Sequence, residues 1–361
     1  MKIGILTFHC AHNYGAVLQA YALQSYLLGK NYDVHIVDYR PNYLTSQYDI
    51  ASWRYRLSKN PVQSVKNIYS KVKHRAEQRA RYERFVDFSR EFRLSPISQL
   101  ANFDAYVIGS DQVWSTIICK GFDNLYWGNF PHKINAKIIS YAASIGRSQW
   151  NRSELLQATE LLNNFHHISV REESAVGVIG SLTNKPVYQV LDPTLLVGKD
   201  AFAKVATTPA PFKGKAYILT YEVSHMPQLH NFARRLAQKT GLQVYNLEAF
   251  PTYKPLEHPL RTAGPGDFIG MIKNAAFVIT NSFHGTCFSI LFNKRFYTLG
   301  FGNNTDLRSR SVLTALNLGE KLIRGDENIT DYAEPDWESV GNRLQTLRAA
   351  SVLYLDNALD S

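Results

Sequence analysis

Residues 275–292 read AAFVITNSFHGTCFSILF: an apolar run breaks into Asn281, Ser282, Phe283, His284 and Gly285, then turns apolar again at helical spacing. A core strand therefore hands over to a helix here. The first turn of such a helix carries unpaired N–H groups and the positive end of the helix dipole, which together suit an anion. His284 adds a ring whose ordinary pKa of about 6.5 fits proton transfer near neutral pH. Ser282 and Thr286 supply hydroxyls, and Gly285 removes bulk. Arg308 and Arg310, after GFGNNTDL, can bring positive charge to the same rim. The plain alternative for His284 is a packed core histidine.

Three further clusters carry residue types that could act on a ligand. In HISVREES, Arg171 leaves a strand before a helix whose early acids, Glu172 and Glu173, satisfy the dipole. The Arg171 guanidinium then offers a planar fork for carboxylate or phosphate, or an ion pair with Glu172, Glu173 or Asp192. GSDQVW places Ser110, Asp111 and Gln112 at a strand end with Trp114 in the next turn. Carboxylate, amide and indole together suit a polyol, with a capped helix and a core indole as the alternative. HNYGA puts Asn13, Tyr14 and Gly15 at a helix start, where Asn can cap and Gly can admit a ligand. It has one Gly where a dinucleotide fingerprint needs three. His9, Cys10 and His12 invite a metal, but no second cluster with ligand spacing accompanies them, so no metal is expected. Gly-x-Ser-x-Gly and Walker patterns are absent, which removes serine hydrolase and P-loop kinase chemistry.

Short apolar strands alternate with helical patterns almost throughout, which predicts parallel sheets built from βαβ units. Strands fit residues 2–7, 34–37, 105–108, 137–140, 167–170 and 187–190, then 216–220, 243–246, 277–280 and 296–299. Nearly every unusual cluster falls at the carboxyl end of one of these strands, where open α/β sheets bind ligands. Two half-sites facing across a cleft follow from that placement. The segment 198–215, rich in Pro, Ala and Lys, reads as a linker between two domains, and 361 residues are enough for both.

The N-terminus enters a strand directly, without a signal peptide's basic start and apolar stretch, and no apolar run approaches the ~20 residues a membrane helix needs. Three widely spaced cysteines suit a reducing compartment. A cytoplasmic protein is the expectation. Of the net charge of +10, the segment Trp53–Arg93 carries +8, from 12 Lys/Arg against 4 Asp/Glu. It reads as basic helices with apolar residues such as Val65, Ile68, Val72, Phe85 and Phe88. Such a segment is either a solvated face or a surface that approaches anionic lipid or an acidic substrate. No nucleic-acid motif accompanies it.

Seven segments in register, TFHCAHNYGAVLQAYALQSYL, VDYRP, YVIGSDQVW, YAASIG, ISVREESA, LDPTLL and FIGMIKNAAFVITNSFHGTCFSILF, resemble the polysaccharide pyruvyl transferase family. The resemblance spans residues 1 to about 310 and omits the basic insert and the last 50 residues. It implies an α/β fold of two Rossmann-like domains facing across a cleft, similar to the glycosyltransferase-B arrangement. The expected division is 1–197 with the insert 53–93 on the acceptor side, a linker 198–215, 216–335 on the donor side, and a helix in 336–361 packing back on the first domain. The implied activity moves the enolpyruvyl unit of phosphoenolpyruvate onto two hydroxyls of a sugar, in a capsule, cell-wall or exopolysaccharide unit or its lipid-linked precursor. No metal or nucleotide cofactor is obligatory in it.

His284 is the residue that carries over from the family's motif. Relatives present an arginine two residues before that histidine, where this chain has Ser282; Arg308, Arg310 or Arg261 is then expected to supply the missing contact. The expected donor site is Arg171, Ser282, His284, Gly285, Thr286, Arg308 and Arg310. The expected acceptor site is Asn13, Tyr14, Gly15, Ser110, Asp111, Gln112 and Trp114, with His284 and Asp111 catalytic. A lipid-linked acceptor would bring the protein to the inner face of the plasma membrane. The rival reading is a glycosyltransferase with a sugar-nucleotide donor; a non-catalytic sugar-binding protein is a further alternative.

Overall fold

The computed structural model describes residues 1–48, 61–132, 135–146, 150–248, 258–327 and 334–360. Residues 53–60, the start of the expected basic insert, lie outside them. The first strands are short apolar runs buried on both faces, as in KIGIL of β1 (Lys2–Leu6) and AYVIG of β4 (Ala105–Gly109). That pattern belongs to a parallel sheet covered on both sides. With β2 (Asp33–Asp38), β3 (Leu94–Pro96) and β5 (Lys137–Tyr141) they form a parallel sheet in the order β3-β2-β1-β4-β5. A parallel pair, β6 (Ile168–Val170) and β7 (Val187–Gln189), adjoins β5 through bridges at Ile139–His167 and Ala143–Val170.

The second sheet repeats the plan. It runs β10-β9-β8-β11-β12-β13, all parallel, from β8 (Tyr217–Glu222), β9 (Gln243–Glu248), β10 (Pro259–Leu260), β11 (Phe277–Thr280), β12 (Arg295–Leu299) and β13 (Leu322–Ile323). Each sheet is a Rossmann-like doubly wound sheet whose strand order reverses between its first and fourth strands, β1/β4 and β8/β11. The three strands absent from the sequence expectation, β3, β10 and β13, have three residues or fewer. They are too short to show a period of two.

The helix Tyr14–Gly29 is buried over most of its circumference, so it is an internal helix rather than a surface one. It sits where the domains meet. Tyr14 stacks on Phe268 at 4.9 Å between ring centroids, and its hydroxyl donates to the Ala263 carbonyl at 2.9 Å. One apolar cluster takes Ile3 and Ile5 from the first sheet together with Leu219 and Val278 from the second. The segment 198–215 takes part in this packing: it contains the helix Lys199–Ala203, and Phe202 is fully buried against Tyr21 and Phe288.

Two more elements join the domains. The helix Trp337–Asp360 lies on the first domain, where Tyr354 donates to the Ser140 carbonyl at 2.8 Å and the Ser351 hydroxyl accepts from Leu191 N–H at 2.9 Å. Of the basic insert, the described part forms helices Pro61–Lys73 and Arg75–Phe88. The second buries Phe85 and Phe88 against the first domain and reaches the other domain through Arg84, whose Nη1 is 2.6 Å from Asp267 Oδ2. Among the described residues no helix is long and apolar enough to cross a membrane.

Candidate active site

The two points of strand reversal open toward each other, and each carries a capped helix. Asn13 caps Tyr14–Gly29 by accepting from Gly15 and Ala16 N–H at 2.9 and 3.3 Å. Ser282 caps the helix Phe283–Leu291 by accepting from Gly285 N–H at 3.3 Å. His284 stands in the first turn of that helix, buried, with its ring laid against Gly15. A Cβ at Gly15 would fall inside the His284 ring, so only glycine lets the first domain's backbone approach the imidazole this closely.

Beneath the ring lies Asp192. Its Oδ1 caps the short helix Pro193–Leu196 through Thr194 N–H at 3.0 Å and also accepts from the Thr194 hydroxyl at 2.7 Å. Its Oδ2 accepts from Ser110 Oγ at 3.0 Å and Arg171 Nη1 at 2.8 Å, and lies 3.6 Å from His284 Nε2. Burial alone would push this carboxyl up. The His284 ring, the Arg171 guanidinium and the Thr194 N–H outweigh it and hold Asp192 well below the usual carboxylate range.

Arg171 is fully enclosed. It lies 4.6 Å over the Phe283 ring, with Asp111 Oδ1 3.6 Å from Nη2 and Glu172 Oε2 3.8 Å from Nε. Burial works against its charge, but Asp192, Asp111 and Glu172 raise its pKa overall. Arg308 faces the same group; burial first, and then the positive charge of Arg171, lower its pKa. Arg171 and Arg308 thus bring two positive charges to the site, set against the carboxylates of Asp192, Asp111 and Glu172. Several buried polar atoms here have no hydrogen-bond partner among the described residues: His284 Nε2, Arg171 Nε and Nη2, Arg308 Nε and Glu172 Oε2. Buried polar groups are seldom left so, and their convergence marks a place built for a polar ligand.

A cavity of about 130 Å³ opens beside His284 and Arg308, lined by Asn13, Asp111 and Gln112 from the first domain and by Asn281, Ser282, His284 and Arg308 from the second. Asp111 takes a left-handed backbone, φ 68°, and its Oδ1 accepts from Gln112 N–H at 2.9 Å. A second cavity of about 90 Å³ lies behind Phe283, and Arg171 lines that one. Arg308 and Phe283 line both.

The structure therefore brings together Asn13, Gly15, Ser110, Asp111, Gln112, Arg171, Ser282, His284 and Arg308. Five expected residues have other surroundings. Trp114 is a core residue: its indole N–H donates to the Tyr126 carbonyl at 2.9 Å and its ring stacks on Trp127 at 4.6 Å. Tyr14 is committed to Ala263 and Phe268. The Thr286 hydroxyl is buried between the Ser282 carbonyl, 3.1 Å, and Thr298 Oγ1, 2.7 Å. Gly285 makes room for Thr280 rather than for a ligand. Arg310 is exposed, two positions along a helix from Arg308 and so on another face.

Arg261, the other arginine considered for the donor, pairs with Glu248 at 2.8 Å. His9 hydrogen-bonds Asp38 at 2.9 Å, while His12 stacks on Phe85 at 5.2 Å, so these two histidines do not share a ligand. Burial pushes the Cys10 thiol up to about 11, which keeps it an inert core group.

Two Rossmann-like sheets, with their strand-end loops meeting over Arg171, Arg308 and His284, define a two-domain α/β protein with a buried polar cluster between its halves. The model of the polysaccharide pyruvyl transferase family matches residues 13–303, and the chain belongs to that family, one of transferase enzymes. A search of curated proteins finds no match. Among solved structures the chain is similar to the UDP-GlcNAc 2-epimerase of Neisseria meningitidis bound to UDP-GlcNAc (12% identity, 99% of this chain and 94% of that one, TM-score 0.46). It is also similar to the UDP-GlcNAc 2-epimerase of Methanocaldococcus jannaschii (11%, 96% and 92%, 0.47) and to the E. coli heptosyltransferase WaaC with ADP-2-deoxy-2-fluoro heptose (12%, 96% and 99%, 0.39).

Proposed function

We infer that this transferase moves the enolpyruvyl unit of phosphoenolpyruvate onto two hydroxyls of a sugar in a cell-surface polysaccharide or its lipid-linked precursor, giving a pyruvate ketal and phosphate. The observation that supports the reading is the grouping of Arg171, His284 and Arg308 about the buried Asp192, beside a helix N-terminus, with nitrogens that make no hydrogen bond among the described residues. The donor bears a carboxylate and a phosphate on one small skeleton. Enclosing it requires cations and N–H donors in this density.

The reaction begins with a proton given to the methylene carbon, which leaves an oxocarbenium-like carbon beside the carboxylate. His284 is the acid in this scheme, with the ionised Asp192 as its counter-charge. A sugar hydroxyl attacks that carbon and passes its proton to Asp111 on the cleft wall. Phosphate leaves with the proton held by Asp111, and the second hydroxyl closes the ketal as it gives its proton to the His284 imidazole. Ser110 and Asn13 position this machinery through Asp192 and the helix cap.

The basic insert supports an acceptor held at an anionic membrane. Beside its second helix lies a groove of about 750 Å³ lined by Arg40, Arg75, Arg79, Tyr48 and Tyr82, with Glu83 as the one acid among the described residues. On the helix Pro61–Lys73, Val65, Tyr69 and Val72 are mostly exposed and recur at spacings of four and three. Incubating the protein with phosphoenolpyruvate and lipid-linked sugars, then reading products by mass spectrometry, should reveal an added pyruvate ketal. Product formed only from a nucleotide sugar would replace this reading with glycosyl transfer.

A further inference from the structure

At the carboxyl end of β8, on the second domain's side of the cleft, Glu222, His225 and His230 bring one ligand atom each within 4.8 Å of one another. Glu222 ends the strand, His225 lies in the loop, and His230 stands in the first turn of the helix Pro227–Thr240. Glu222 Oε1 is 2.9 Å from His230 Nε2 and 3.7 Å from His225 Nδ1. Glu222 and His230 are buried, whereas the His225 side chain is half-exposed.

We propose that these three side chains bind a divalent transition-metal ion of the zinc class. Zn–N and Zn–O bonds of about 2.0–2.2 Å place tetrahedral ligand atoms roughly 3.3 Å apart, and the two short separations here bracket that value. The ion would replace the hydrogen bond between His230 and Glu222. Two imidazoles and one carboxylate suit zinc, cobalt or nickel and do not suit magnesium or calcium, which prefer oxygen. The other Glu222 oxygen accepts from Met226 N–H at 3.1 Å, which fixes the carboxylate's direction from behind. The exposed side of His225 leaves a fourth position open to water.

The site would act on the cleft through the loop. Asn281, next to the cap of the histidine helix, accepts from Val223 N–H at 2.8 Å and donates to the Ser224 carbonyl at 2.7 Å. Val223 also lines the active-site cavity. An ion on Glu222, His225 and His230 therefore pins the loop that forms one wall of the cleft. This proposal is independent of the donor assigned above.

The test uses tag-free, chelator-treated protein titrated with Zn²⁺ and with Co²⁺. One equivalent should bind, Co²⁺ should give the visible absorption of a low-coordinate site, and Zn²⁺ but not Mg²⁺ should raise the Tm. His225→Ala, at an exposed position, should keep the fold and weaken binding about 100-fold or more, since even outer partners of a metal cost 10- to 100-fold. Glu222→Gln should do the same. Absence of binding to the wild type at micromolar Zn²⁺, or unchanged affinity in folded His225→Ala, would overturn the proposal.

Discussion

At the scale of single residues, the site depends on contacts between side chains far apart in the chain. His284→Ala should lower transfer by roughly 10²–10⁴-fold, the usual contribution of a positioned acid, with an unchanged far-UV circular dichroism spectrum. Activity within a few-fold of wild type would make His284 a packing residue. Gly15→Ala tests the same ring from the other domain. Its methyl group must displace the imidazole, and a shift near 1 Å costs about 100-fold in kcat. Full activity in that variant would show that the ring's place is unimportant. Asp192→Asn leaves Arg171 without its closest counter-ion, a loss of about 3–5 kcal/mol at neutral pH. Because the folded carboxyl is held low, its stabilisation is complete above the unfolded value of about 3.9 and fades as pH falls toward the folded one. The Tm gap between wild type and Asp192→Asn should thus be widest near pH 7 and narrow below about pH 4; a constant gap would refute the linkage. His284, Asp111, Arg171 and Arg308 were legible as candidates because each stands at a strand end or beyond a helix start. Asp192 was legible only as one of three possible ion-pair partners of Arg171, which it is at 2.8 Å; its place beneath the His284 ring depends on a contact 92 positions away in the chain. Trp114 shows the opposite error: an indole after a polar strand end reads alike whether it covers a sugar or, as here, stacks on Trp127.

Among the elements, long strands and helices were legible from their periods, while the short edge strands β3, β10 and β13 depend on pairing with neighbours. The basic insert was legible only as charge. Its second helix proves to be a brace as well, with Phe85 and Phe88 in the first domain's packing and Arg84 on Asp267 of the second. Its first helix carries the lysines and the exposed apolar residues. Reversing Lys66, Lys71, Lys73 and Arg75 to Glu should therefore reduce sedimentation with anionic vesicles and slow turnover of a lipid-linked acceptor, while a short soluble acceptor changes little. Each such cation contributes on the order of 1 kcal/mol near an anionic surface. Equal loss on both acceptors would assign the segment to the fold, and unchanged vesicle binding would leave it a solvated face.

For the molecule as a whole, the apolar cluster shared by the two sheets couples their stabilities. Calorimetry should record a single unfolding transition with equal calorimetric and van't Hoff enthalpies, whereas two resolved transitions would mean independent domains. The helix Trp337–Asp360 has a geometric consequence beyond the contacts it makes. The chain leaves the first domain through 198–215 and returns to it after β13, so the second domain is attached at both of its ends. A body on one tether can swivel about any axis, but a body on two can turn easily only about the line between them. Any relative turn of the two halves is therefore confined to the axis through these two connections, and must also slide the apolar surfaces they share.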